Sequence, residues 1–404
     1  MTLAPTFAAT MDRIAGGFWP LGLAVSGGGD SMALLHLAAE WAGPSRRKLH
    51  VVTVDHGLRD GSADEAVMVR RQAAALGLTH DTLVWRRETM GNLQDAARSA
   101  RRGLIAAWAA RLGVDAVLLG HTRDDQAETV LMRMARGSGV DGLAGMAEVG
   151  RAQGIAWLRP LLTRGRAELR DWLTKRGLDW AEDPGNENSA FDRVRARRMA
   201  GTLADLGLSA ARLELLSAHM ARARDVLNDA MRDLAGQAVR QDGPDLVLDR
   251  AALLAARPET RMRLLAAGLR WISGNPYRPR FAALQGMVDT LDNGTLHGVL
   301  LRRQRGSVRL MREPRAVRDT VSRTDDAWDG RWCLSGPHDA ALTVRSLADR
   351  AYAGGRWPVG TLAASPAIWR GETLVAAPLQ EPGGLWSARL ADGRDDFHRW
   401  LRSH

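Results

Sequence analysis

Residues Ser26-Gly27-Gly28-Gly29-Asp30-Ser31 follow the apolar run Leu21 to Val25 and precede a helical pattern of Met32, Leu34, Leu35 and Leu37. A buried strand that feeds a glycine-rich turn and then a helix leaves the backbone few options. The glycines let the chain turn sharply and bring N–H groups against an anion, and the helix N-terminus adds partial positive charge. The stretch reads as a phosphate-binding loop at the carboxyl end of a strand, where ligands of open α/β sheets bind. It is not a Walker A loop, because G-x-x-x-x-G-K-[ST] is absent and no lysine lies nearby. Nor is it the dinucleotide G-x-G-x-x-G fingerprint. It carries Asp30 instead, an oxygen ligand for a metal ion that bridges phosphates. The competing explanation is an ordinary strand-to-helix turn, since glycine, aspartate and serine are common at turns and caps.

Further strand-like runs lie at Leu49–Asp55, Thr82–Trp85, Ala116–Gly120 and Ile155–Leu158, with helical patterns at Glu65–Leu76, Leu93–Leu112 and Asp125–Arg136 between them. This alternation predicts a doubly wound α/β domain with a mostly parallel sheet over residues 1–210. The second strand ends in Val54-Asp55-His56-Gly57-Leu58-Arg59. Asp55 is placed there to bond a ribose or the adenine region, with His56 in the loop facing the nucleotide. Arg98 and Arg101 share a helix face one turn apart, which on its own is most simply a solvated face.

The fourth strand delivers His121-Thr122-Arg123-Asp124-Asp125-Gln126-Ala127-Glu128-Thr129. On a continuous helix His121, Asp125 and Glu128 project from one side. Acids near a helix start also suit its dipole, so a well-capped helix is the plain alternative. A histidine, two aspartates and a glutamate directly after a strand exceed what capping needs. The cluster is suited to hold Mg²⁺ and to capture an amine that approaches an electrophile. Zinc is not implied, for there is no H-E-x-x-H and no cysteine partner. Beyond a turn-rich loop at Trp180-Ala181-Glu182-Asp183-Pro184-Gly185-Asn186, the run Arg193-Val194-Arg195-Ala196-Arg197-Arg198 reads as a basic helix start that meets phosphates of ATP or RNA.

A helical linker, Ala211–Leu234, is expected to lead into a first C-terminal module over 211–320 and a second small one over 321–404. In the first, Val299-Leu300-Leu301 and Val308–Met311 are expected to pair, and Arg302, Arg303, Arg305, Arg309, Arg312 and Arg315 to form a basic surface for a polyanion. In the second, Trp328, Trp332, Trp357, Trp369, Trp386 and Trp400 are expected to be core rather than stacking platforms for bases. A formal charge of +10 over 404 residues points the same way, to nucleic acid. Cys333 is the single cysteine, which excludes an internal disulfide and a Cys-x-x-Cys metal site. With no secretory pattern and no apolar run of the ~20 residues a membrane span requires, a soluble cytoplasmic protein is expected.

The loop resembles the PP-loop of the N-type ATP pyrophosphatases, which split ATP between the α and β phosphates. The S-G-G-x-D-S loop, D-H-G-L-R, H-x-x-D-D-x-x-E-T, R-G-S-G, P-L-L and E-D-P-x-N…R-x-R then occur in the order and at the spacings of the tRNA(Ile)-lysidine synthetases, over about residues 20–200. That resemblance implies an ATP-dependent carbon–nitrogen ligase that adenylates C2 of the wobble cytidine of tRNA(Ile), with its CAU anticodon, and joins L-lysine to it. It implies ATP contacts at Ser26, Gly27, Gly28, Gly29, Asp30, Ser31, Asp55 and His56. Asp30 and Asp124 fall on the side of the Mg²⁺, Asp125 and Glu128 on the substrate lysine, and His121 on the nucleotide. Arg101 and Arg193 match arginines near substrate phosphates. Val194 and Gly185 depart from the family pattern, in which Arg-Asn and a serine are usual. Two other readings stay open: another PP-loop tRNA-modifying enzyme, or an inactive nucleotide-gated RNA-binding protein. A thiolation enzyme needs more than one distant cysteine, and an inactive site has no reason to concentrate Asp30, Asp124, Asp125 and Glu128 beside a triphosphate.

Overall fold

The computed structural model describes residues 3–43, 48–55, 62–85, 93–182, 192–353 and 355–403, with the side chains of 62, 93–99, 192–194 and 198 outside that description. The chain divides into two compact units, 1–224 and 225–404.

The first unit runs α1 (Leu3–Ile14), β1 (Leu21–Ala24), α2 (Gly29–Ala42), β2 (Leu49–Asp55), α3 (Ser62–Ala75), β3 (Thr79–Val84), α4 (Leu93–Arg111), β4 (Ala116–Leu119), α5 (Arg123–Ala135), α6 (Val140–Leu143), β5 (Val149–Ala152), β6 (Ile155–Leu158), α7 (Arg166–Thr174), α8 (Asp192–Asp205) and the first part of α9 (Ala210–Ala238). Its sheet has the order β3-β2-β1-β4-β6-β5. All neighbours are parallel except β5, which returns antiparallel on β6. The expected doubly wound domain is the one observed.

The side-chain alternation of β1 explains the two helix layers. Leu21, Leu23 and Val25 join one core with Phe7, Met11, Leu34, Leu35, Leu169 and Trp172, whereas Ala24 belongs to the opposite core with Val52, Val54, Ile105 and Trp108. Burying an aliphatic chain of this size stabilises by about 1.5–3 kcal/mol. Gly22 faces the second core, where a Cβ would come within 2.9 Å of the Trp108 ring, so only glycine lets α4 lie so close.

Strand order reverses at β1, which has β2 on one side and β4 on the other. At that reversal the loops after β1 and β4 open a crevice at the carboxyl ends of the strands, the general ligand position of such sheets.

The second unit begins within α9 and continues with β7 (Val239–Asp242), β8 (Asp245–Asp249), α10 (Arg250–Ala255), α11 (Pro258–Ser273), α12 (Phe281–Thr290), β9 (Gly294–Leu296), β10 (Val299–Gln304) and β11 (Ser307–Arg312). These strands form the antiparallel sheet β7-β8-β11-β10-β9, and β10 pairs with β11 as expected. Then come β12 (Ser322–Arg323), β13 (Trp332–Ser335), β14 (Thr343–Ser346), α13 (Val359–Ala363), β15 (Pro366–Arg370), β16 (Thr373–Ala376), β17 (Ser387–Leu390) and α14 (Phe397–Ser403), with sheets β12-β14-β15-β16 and β13-β17. The last helix turns back: Phe397, Trp400 and Leu401 complete the core built by α11 and the first sheet. Of the six tail tryptophans, Trp328, Trp332, Trp369, Trp386 and Trp400 are buried, as core residues are, and Trp357 is half-buried against the same unit.

The basic segment of β10 and β11 is thinner at the surface than its sequence implies. Arg309 points inward and donates to Asp245 Oδ2 at 2.7 Å and Asp242 Oδ2 at 2.5 Å. Arg312 forks onto both oxygens of Asp329 at 2.8 Å, and Arg303 pairs with Asp292. Arg302, Arg305 and Arg315 remain exposed, without an ion pair among the described residues.

Candidate active site

The loop after β1 is closed by its own serines. Ser31 Oγ donates to the Gly28 carbonyl at 2.9 Å and accepts from the Ser26 amide at 3.1 Å. Gly27 has φ +92°, a conformation that L side chains rarely adopt. The α2 N-terminus at Gly28 has no side-chain cap, which leaves first-turn amides to an anion. The far wall comes from later in the chain: the Ala181 amide donates to the Gly27 carbonyl at 2.9 Å, and Trp180 flanks Gly29.

β4 delivers the second half. A Cβ on Gly120 would lie 3.1 Å from the Asp30 carbonyl oxygen and the Ser31 Cα, so glycine allows the β4 exit to run directly against the start of α2. Thr122 then caps α5. Asp125 Oδ2 accepts from the Thr122 amide at 2.8 Å and its hydroxyl at 3.0 Å, completing a capping box. The α7 N-terminus is stitched to the same turn. The Arg123 amide donates to the Arg164 carbonyl at 2.8 Å, and the Arg166 amide donates to Asp124 Oδ2 at 2.7 Å.

These backbone bonds place the Arg166 guanidinium among the acids. Its Nε donates to Asp30 Oδ2 at 2.9 Å, Nη2 to Asp125 Oδ1 at 3.0 Å and Nη1 to Glu128 Oε1 at 3.4 Å. Glu128 is 2% exposed and also accepts from Arg197 Nε at 3.0 Å. Burial pulls the Arg166 pKa down, but Asp125, Asp30 and Glu128 outweigh it and raise it above the ordinary value. Asp30 goes the other way from a simple ion pair: burial pushes its carboxyl above the usual aspartate range although Arg166 opposes the shift. Three carboxylates therefore face one central cation, in a setting where removing one partner of a buried pair costs about 3–5 kcal/mol.

The PP-loop domain family matches residues 12–202. A tRNA(Ile)-lysidine synthase of Ruegeria pomeroyi is 44% identical over 95% of this chain and 94% of that protein. This chain belongs to the tRNA(Ile)-lysidine synthase family. A second synthase, from Bradyrhizobium sp., is 41% identical over 73% of this chain and 86% of its own. Among solved structures, the U34-tRNA thiolase NcsA from Methanococcus maripaludis aligns at a TM-score of 0.45 and 15% identity, over 55% of this chain and 78% of that one, a likeness too distant to bear on function. The lysidine synthases are PP-loop, ATP-binding ligases that modify tRNA. No helix among the described residues is long and apolar enough to cross a membrane.

In this member of the family the structure brings Ser26, Gly27, Gly28, Gly29, Asp30, Ser31, Asp124, Asp125 and Glu128 to one crevice. Asp55 closes β2 beside β1. His121 lies before the Thr122 cap and so off α5, because the strand exit takes two residues that the one-face argument counted as helical. Arg101 is half-buried on α4, with its pKa lowered by burial, and among the described residues no hydrogen bond or ion pair ties it to the acids. Arg197, expected to meet phosphate, pairs with Glu128 instead. His56 and the Arg193 side chain lie outside the described residues, as do Gly185 and the Val194 side chain. Arg166 was missed altogether. One signal pointed to it: a cation in the first turn of a helix opposes the macrodipole and needs a compensating acid.

Proposed function

We propose that this chain adenylates C2 of the wobble cytidine of tRNA(Ile) bearing a CAU anticodon and then joins L-lysine to that carbon, releasing pyrophosphate and AMP. Family membership supports the overall reaction. The observation that carries the assignment of roles is the grip of Asp30, Asp125 and Glu128 on Arg166. A crevice beside the phosphate loop that holds an alkyl guanidinium among three carboxylates has the charge and shape for an alkylammonium.

In the first stage the cytidine O2 attacks the α-phosphorus of ATP and the bond to the β-phosphate oxygen breaks. The uncapped amides of α2 meet the charge that grows on the phosphates. Mg²⁺, when bound, spreads that same charge, and Mg²⁺ is commonly held by one or two carboxylates together with substrate phosphates. Asp30 fits that part, since its Oδ1 is buried with no partner among the described residues. Asp124 fits less well, being committed through Oδ2 to the α7 amide.

In the second stage lysine displaces Arg166 from the acids, with Asp125 Oδ1 and Glu128 orienting the amine. The amine sheds a proton, attacks C2, and the C2–O2 bond breaks with AMP as leaving group. Glu128, with Oε2 buried and unpartnered among the described residues, is placed to take that proton. His121, at the β4 exit, is assigned to the nucleotide, and Arg101 and Arg193 to substrate phosphates. The test is an amino-acid panel with tRNA(Ile) and α-labelled ATP. Lysine alone should enter the tRNA, with one AMP formed per lysine. ADP as product, or incorporation indifferent to the amino acid, contradicts the reading.

A further inference from the structure

The second unit contains a cleft of opposite chemistry. It is lined by Asn228 and Arg232 of α9, Arg263 and Arg270 of α11, Arg278 just beyond that helix, and Trp400 of α14. Among the described residues no aspartate or glutamate lines it. Arg232 and Arg263 donate to neighbouring side chains. Arg232 Nη1 donates to Asp229 Oδ1 at 2.7 Å. Arg263, 2% exposed, donates to Glu259 Oε1 at 2.8 Å and to Asn228 Oδ1 at 3.1 Å.

Arg270 is different. Its guanidinium carbon sits 5.4 Å from the centroid of the Trp400 ring, and its buried Nε meets no acceptor among the described residues. Burial lowers its pKa, and Arg278 and Arg394 lower it further. Arg394 already spends Nη1 on the Trp271 carbonyl at 2.8 Å. A half-buried fork donor that lies over an indole and is crowded by like charges suits a bidentate contact to the oxygens of an anion. The cation–π contact holds the guanidinium beside the ring, and no carboxylate among the described residues pairs with it.

We propose that this cleft seats one phosphate of the RNA backbone, gripped by Arg270 and Arg278 against the Trp400 wall. The inference rests on the reading above that the substrate is a tRNA, and it adds a contact far in sequence from the PP-loop. A phosphodiester suits the cleft because the neighbouring arginines supply donors and charge without any group that reads a base, so the contact positions the RNA and does not select its sequence. The same chemistry also fits free pyrophosphate, so the test needs both ligands.

The experiment measures tRNA(Ile) affinity of the full-length protein against salt concentration, for wild type, Arg270→Gln, Arg270→Lys and Arg278→Gln, with thermal melting as a control for folding. Arg270→Gln should weaken binding about 5- to 10-fold near physiological salt and reduce the salt slope by about one. Arg270→Lys should recover the slope but only part of the affinity. Lysine incorporation at saturating tRNA should keep its kcat, with only the KM for tRNA raised. If Arg270→Gln melts early, exposed Arg278→Gln decides, and should move affinity and slope in the same direction. Wild-type affinity and slope in the folded variants overturn the proposal, and pyrophosphate that stabilises wild type alone in that case assigns the cleft to the free anion. A wild-type protein that binds tRNA but incorporates no lysine contradicts the catalytic reading and leaves this one standing.

Discussion

The crevice at β1 and β4 and the cleft beside Trp400 are electrostatic opposites. In the first, Asp30, Asp125 and Glu128 surround one guanidinium. In the second, four arginines line a wall to which no carboxylate among the described residues contributes. Both leave buried polar atoms without a partner among the described residues, Asp30 Oδ1 and Glu128 Oε2 in one and Arg270 Nε in the other. Burying such atoms unpaired costs free energy, so the sign of each surplus names its ligand. An excess of acid calls for a cation, and an excess of arginine calls for phosphate.

The largest effect is expected where the charge of the acidic crevice is reduced without disturbing its fold. Asp125→Asn keeps an oxygen to accept from Thr122 but removes the charge facing the amine. Lysine incorporation should fall by about 10²–10⁴-fold, the kinetic equivalent of the ~3–5 kcal/mol for breaking a buried charge pair. tRNA affinity, read by filter binding, should stay within about twofold. Parallel loss of both would make the acid structural, which the capping box alone could explain.

Next comes the counter-charge itself. Arg166→Met removes the cation that the three carboxylates share and leaves Glu128 to Arg197, and denaturant unfolding without ligands should show a loss of about 3–5 kcal/mol. Its pH dependence is signed. Asp30 already titrates above the ordinary aspartate range, so the folded state binds that proton more tightly than the unfolded chain. The Asp30 contribution to stability therefore declines as pH rises through its folded value and recovers below it. Without Arg166 the carboxyl rises further, so the penalty of Arg166→Met should shrink on acidification. A penalty constant from pH 4 to 8 would separate Arg166 from the acids.

A smaller effect belongs to the approach of the two strand exits. Gly120→Ala pushes a Cβ against the Asp30 carbonyl, a strain of about 1–3 kcal/mol. It should raise the KM for ATP more than that for lysine, measured by steady-state pyrophosphate release. Equal changes in both would mean the loop is not what moves. The smallest effect is expected at the β10–β11 tip, where exposed Arg305→Gln should weaken tRNA binding by less than about threefold and lower the salt slope by up to one. A larger loss there than at Arg270 would shift RNA recognition from the cleft to the hairpin.

The two regions also differ in how much of them the sequence reveals. The PP-loop is local: six consecutive residues between an apolar run and a helix carry its chemistry, and β2 and β6 fall on the runs expected for them. Its central cation is not local. Arg166 lies 136 residues from Asp30 and 41 from Asp125, in a helix whose pattern is ordinary. In the second unit, arginine density misled because β11 is buried on both faces, so Arg309 turns inward to Asp242 and Asp245 and does not join the basic surface expected of it. The return of α14 to the α11 core also has no local signature, since Phe397, Trp400 and Leu401 read as any short amphipathic end.

The most direct test asks whether the crevice reads charge or shape. Titration calorimetry would compare lysine with norleucine, its uncharged near-isostere, in the presence of a non-hydrolysable ATP analogue. Lysine should bind and norleucine should not, and Asp125→Asn should abolish the difference. Equal binding of the two amino acids to wild type would contradict the claim that the carboxylates around Arg166 exist to receive an ammonium.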